Sequence, residues 1–208
     1  MRAQNKSQRI FLNEGLDLHY NPFGGLTNQE MEQVLVPQID FQSIQQYLKN
    51  NIGISIELKA WKGRGKTMHL KMLHRLFDES PIHLLDPNKT DAKIDDDTRL
   101  VFIDSIHRLS LNKRMRLWKN NKINIVFTTH FGKSIEHWIT NRRLLSYTVK
   151  GINVNDLESL LRSRIALASN YLKPQEVQIN QQLLQHIHRK YGNNVRALLN
   201  DLYTSYQL

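Results

Sequence analysis

Residues 60–67, Ala60-Trp61-Lys62-Gly63-Arg64-Gly65-Lys66-Thr67, end in two glycines, a lysine and a hydroxyl within five positions. Such a run can hold phosphate. Successive backbone N–H groups at a helix start surround the phosphate oxygens, the lysine ammonium bridges the outer phosphates, and the hydroxyl ligates Mg²⁺. Gly63 and Gly65 supply backbone freedom, Lys66 the charge and Thr67 the metal hydroxyl. Trp61, Lys62, Arg64 and Met68 complete the loop and the first helical turn. The pattern G-x-x-x-x-G-K-[ST] asks for glycine at position 60 and finds Ala60, at a strand exit where a methyl is tolerated. The ligand this chemistry implies is ATP with Mg²⁺.

Two further strand ends carry polar groups. In "RLVFIDSIHRL", Asp104 closes an apolar run and can hold Mg²⁺ through water; its plainer role is to cap the turn that follows. The position after it, where a water-polarising glutamate would serve hydrolysis, is Ser105. In "IVFTTHF", Thr128, Thr129 and His130 emerge at a strand tip. There Thr129 and His130 can sense a γ-phosphate or position water, or simply close a turn.

The elements that must position these residues are read from periodicity. "ISIEL" (54–58) gives a strand before the loop, and Lys66 to Phe77 carry helical spacing after it. Apolar runs at 82–86, 99–104, 123–129 and 144–149 are separated by polar stretches, the signature of a parallel sheet covered on both faces. Residues 27–50 read as helical, with Thr27 and Glu30 at capping-box spacing. Segments 155–170 and 180–203 are amphipathic helices with no strand after them. The expected fold is α/β: a P-loop NTPase three-layer parallel sheet with a small C-terminal helical lid. Its expected divisions are a flexible segment over 1–20, the core over 21–150 and the lid over 151–208.

The chain has 208 residues, 40% of them hydrophobic, enough for one sizeable domain with a helical appendage. There are no cysteines, which excludes disulfides and thiolate metal sites, and the nine histidines show no H-E-x-x-H spacing. No apolar run has the length of a membrane span, and the polar start lacks a signal-peptide core, so a cytoplasmic location is expected. The formal charge of +10 gathers at Lys62/Arg64/Lys66, along 108–119, at Arg142/Arg143 and at Arg162/Arg164. A phosphate ligand accounts for the first group; the rest point to nucleic acid, an acidic protein surface or ordinary solvated helix faces.

With these motifs in place the chain resembles the AAA-plus ATPases over roughly residues 18–205. "NRRLLSYTVKGINVNDLESLLRSRI" is similar to that family's passage from arginine finger through the fifth strand into the lid. The resemblance gives Arg142 or Arg143 the finger role toward a neighbouring subunit, and Asp104 the Walker B role. "YGNNVRALLNDLY" resembles the sensor 2 helix, with Arg196 at the arginine position. "NPF" at 21–23 resembles the branch that holds secretion-associated ATPases and ATP-binding regulators of DNA transposition. The resemblance implies ATP-driven self-association with either nucleic acid or a protein complex as partner. Ala60 and Ser105 depart from its pattern and imply slow hydrolysis.

Overall fold

The computed structural model describes residues 10–13, 17–169 and 172–206. They form two compact units: Pro37–Lys150, and Met1–Val36 together with Gly151–Leu208. In chain order the elements are α1 (Asn28–Val34), α2 (Phe41–Asn50), β1 (Ile54–Lys59), α3 (Lys66–His74), β2 (Ile82–Leu84), β3 (Leu100–Asp104), α4 (Leu111–Lys119), β4 (Asn124–Thr129), α5 (Ser134–Ile139), β5 (Arg143–Thr148), α6 (Val154–Ser169), α7 (Gln181–Tyr191) and α8 (Val195–Ser205).

The unit Pro37–Lys150 is a five-stranded sheet in the order β2-β3-β4-β1-β5, parallel at every pairing. Alternate residues of the strands face opposite sides. Ile54, Ile56 and Leu58 of β1, Phe102 of β3 and Val126 of β4 pack with Ile44 and Leu48 of α2 and Leu70 and Leu73 of α3. The other face joins Val101, Ile103, Ile125 and Phe127 to Ile106, Leu109 and Trp118. Helices thus cover both faces, the three-layer arrangement expected from continuous apolar strands. β1 turns polar residues, Ser55 and Glu57, to this second face, and both are buried. Glu57 is satisfied by the Lys133 backbone N–H at 2.7 Å and the Ser146 hydroxyl at 2.6 Å.

The expected helix over 27–50 is two helices. Pro37 cannot donate to the preceding turn and keeps Val36 out of the helical region. Thr27 caps the first helix in the capping box its spacing predicts. Asp40 restarts the chain as the cap of α2, accepting from Gln42 and Ser43 at 3.0 Å each.

In the second unit, Phe23 and Val34 share a core with Leu157, Leu161, Ile165, Leu184 and Leu198. The buried Arg164 donates to the carbonyls of Pro22 (2.7 Å) and Gly24. These contacts explain why residues 21–36 group with the C-terminal helices, although the sequence places the start of the core at 21. Ile10 and Phe11 are buried too, and Phe11 bridges Ile179; of the expected flexible segment, 1–9 and 14–16 lie outside the described residues. The expected helix over 180–203 divides at Gly192, whose φ of +52 suits glycine.

Candidate nucleotide site

The strand order brings three polar strand ends side by side. β4 lies between β1 and β3, with Leu58 level with Thr128 and Ile103 level with Phe127. The loop after β1, Asp104 at the end of β3 and Thr128–His130 at the end of β4 therefore emerge together at the carboxyl edge of the sheet. Ligands of open α/β sheets bind at that edge.

The loop itself turns on glycine. Gly63 and Gly65 have φ of +84 and +85, where a side chain is strained. Gly65 occupies the N-cap of α3 without a side-chain cap, and no acidic residue stands in the first turn. The first N–H groups of α3 thus lie at the positive end of the helix dipole, an arrangement that can hold an anion. A histidine that sequence reasoning passed over fixes the loop from behind. His69 Nε2 accepts from the Gln38 N–H at 3.1 Å, so its Nδ1 carries the proton and donates to the Gly65 carbonyl at 3.0 Å. Burial lowers the His69 pKa and keeps the ring neutral, as this pair of bonds requires.

Lys66 Nζ donates to the carbonyls of Ala60 (2.7 Å) and Trp61 (3.0 Å) and lies 3.3 Å from His130 Nδ1. That same Nδ1 is 3.1 Å from the Ala60 carbonyl. The two contacts are alternatives, since an ammonium can only donate and a carbonyl can only accept. Thr67 Oγ1 donates to Asp104 at 3.0–3.1 Å, and the Thr128 hydroxyl donates to the same carboxylate at 2.6 Å.

Thr67 and Asp104 fit a magnesium ion. Both present hard oxygen donors, and neighbouring ligands of an octahedral Mg²⁺ with bonds of about 2.0–2.1 Å stand about 3 Å apart. When bound, the ion would neutralise phosphate charge at this edge.

The remaining candidates divide. Thr129 is buried and its hydroxyl is spent on the Phe131 carbonyl at 2.9 Å, a closed strand-end turn. Thr128, one residue earlier, faces Asp104 instead. Trp61 is exposed and meets Phe131 edge to face at 5.7 Å. Lys62 is exposed; Arg64 and Met68 are half-buried. Arg142 is 4% exposed, and its guanidinium donates to Ser55 Oγ (2.7 Å) and to the carbonyls of Ile54, Asn120 and Ile123 (2.7–2.8 Å). Such a group is not presented to a neighbouring subunit. Arg143 is exposed, 5.3 Å over the Tyr47 ring. Arg196 is exposed in the first turn of α8, in the other unit.

This fold, a five-stranded parallel sheet with helices after it, has solved counterparts. The chain is similar to the Thermotoga maritima RuvB Holliday junction branch migration motor, with a TM-score of 0.50 and 14% identity over 80% of this chain. A point variant of that RuvB gives a TM-score of 0.52 at 14% identity over 78% of this chain. The fold of this chain, a five-stranded parallel α/β sheet with C-terminal helices, matches the core of that RuvB structure. The chain covers 61% and 56% of those two structures, respectively. No protein-family description and no curated protein matches the sequence. That likeness carries the fold alone and does not extend to the branch that Asn21-Pro22-Phe23 resembles.

Sequence reasoning passed over His69, Glu57 and His107. The first two look like ordinary members of a helix and a strand. The partners of His69 are Gln38 and Gly65, and those of Glu57 are Lys133 and Ser146, all brought in by the fold.

Proposed function

We propose that the chain is an ATP-binding regulator of AAA-plus type that hydrolyses slowly, assembles on binding nucleotide and acts on nucleic acid. The observation that carries the reading is the meeting of Lys66, Thr67, Asp104 and His130 at one sheet edge, beside a helix start capped only by glycine. Lys66 holds the outer phosphates; Thr67 and Asp104 hold Mg²⁺. Ser105, where the resemblance calls for a glutamate, accounts for slow turnover. Arg143 takes the finger role, because Arg142 is committed inside the fold, and Arg196 takes the sensor 2 role on the resemblance alone. Nucleic acid is supported by the +10 charge and by Arg116, Lys119 and Lys122, which are exposed. Not all of the basic clusters serve it: Arg114 pairs with Glu136 and Arg162 with Glu158.

One feature favours a protein partner as the second reading. Ile135, Trp138 and Ile139 of α5 are 60–82% exposed at positions i, i+3 and i+4. An exposed apolar helix face is a common mark of a protein interface.

Titration with a fluorescent ATP analogue tests the site. Wild type should bind in a magnesium-dependent way, and Asp104→Asn should lose that dependence. Filter binding to duplex DNA at two salt concentrations separates the readings. Phosphate contacts impose a steep salt slope, and no DNA binding at low salt leaves the protein-partner reading.

A further inference from the structure

The site lacks the glutamate that would take a proton from water, yet a second imidazole stands beside the first. Residues 106–108 form a single tight turn after β3, closed by the Arg108 N–H on the Ser105 carbonyl at 2.9 Å. Ile106 and Leu109, both buried, anchor that turn in the sheet's second-face core. His107 is left exposed between them. Its ring lies 5.1 Å from the ring of His130, whose Nδ1 is 3.3 Å from Lys66 Nζ. Lys66, His130 and His107 thus form a row running from the phosphate loop to solvent.

We propose that His107 is the general base of this site, an imidazole standing in for the missing glutamate, with His130 as the positioning residue between it and Lys66. The proposal rests on the ATP reading. In the step it assigns, a water oxygen forms the new bond to the γ-phosphorus. The bond from that phosphorus to the β,γ-bridging oxygen breaks and its electron pair leaves with ADP. The water proton passes to a ring nitrogen of His107. A base must be unprotonated at working pH, and the surroundings of His107 keep it so. Partial burial lowers its pKa below 6.5 first, and the positive field of His130, Arg108, Lys133 and Lys66 lowers it further.

Single-turnover hydrolysis of ATP by wild type and His107→Gln, from pH 5.5 to 8.5, tests the assignment, with ATP affinity measured for each. His107 is exposed, so the substitution should leave the fold intact. Wild-type rate should rise with pH through a midpoint below 6.5 and then level off. His107→Gln should fall on the order of 10²-fold and lose that pH dependence, while its ATP affinity stays within about twofold of wild type. A readout independent of turnover is the titration of the His107 ring by NMR, assigned by its loss in the variant. Its midpoint should rise by about half a pH unit on adding Mg²⁺ and a non-hydrolysable ATP analogue, because added negative charge favours the imidazolium. An unchanged rate in the variant, no turnover by wild type at any pH, or an unmoved ring midpoint in protein that binds ATP would each overturn the His107 role alone. Absence of ATP binding by wild type would remove the ATP reading with it.

Discussion

At the scale of the residue, two adjacent arginines have opposite fates. A guanidinium carries five donors in a fixed fork and can satisfy several carbonyls at once. Arg142 does this where β1, β4 and β5 begin, and burial pushes its pKa down only to about 10, so it stays charged at neutral pH. Arg142→Ala would leave buried carbonyls without partners, at about 1–3 kcal/mol each. Urea denaturation should show a loss of at least about 3 kcal/mol. Arg142→Lys, with three donors on a point charge, should recover only part of it. If Arg142→Ala unfolds at the wild-type midpoint, the network is idle. The sequence could not separate the two arginines, because the carbonyls that claim Arg142 come from Ile54, Asn120 and Ile123, far away along the chain. Lys66, Thr67 and Asp104 were legible, since each follows an apolar strand at a fixed spacing.

At the scale of the element, α5 rests on a histidine that must remain neutral. His137 is 1% exposed, lies 4.3 Å from the Trp118 ring and stacks on Phe127 at 5.8 Å. Burial lowers its pKa to about 4, helped by Arg142 and opposed by the Lys133 carbonyl and Glu136. The unfolded chain, with an ordinary pKa near 6.5, therefore takes up a proton before the folded chain does. Stability from this group is whole above about pH 6.5 and falls as the pH drops toward 4. The loss is on the order of 3 kcal/mol for a shift of this size. His137→Phe should flatten the fall between pH 6.5 and 4 in thermal unfolding scans; an equal fall in wild type and variant would contradict the account. Glu136 acts in a separate, lower window. Burial alone would raise its carboxyl, but bonds from Arg114 and Trp118 hold it at about 2, so its contribution fades only as the pH falls from about 4.5 toward 2. The five strands were legible as apolar runs. α5, a six-residue helix with its apolar side exposed, gave too short a periodic signal, and the breaks at Pro37 and Gly192 were hidden inside longer helical patterns.

At the scale of the whole molecule, a charge of +10 opposes self-association unless an anion intervenes. On the proposed reading ATP is that anion, so it should shift the protein to larger species in light scattering, with ADP much less effective. Arg143→Ala and Trp138→Glu alter exposed side chains and should each weaken the shift while sparing ATP binding. If both variants assemble as wild type does, the interface lies elsewhere. The division into two units was only partly legible, because Phe23 and Val34 look like core residues of either unit until Arg164 is seen to hold the Pro22 carbonyl. The central claim, that residues 60–68 bind ATP, is tested most directly by calorimetric titration of ATP with Mg²⁺ into wild type and Lys66→Ala. A charge-assisted bond contributes about 1.5–3 kcal/mol, roughly 10- to 150-fold in affinity. Saturable wild-type binding that weakens by that factor or more in a folded Lys66→Ala protein is the predicted result. Equal affinity in the two proteins, or no wild-type binding, would contradict the claim.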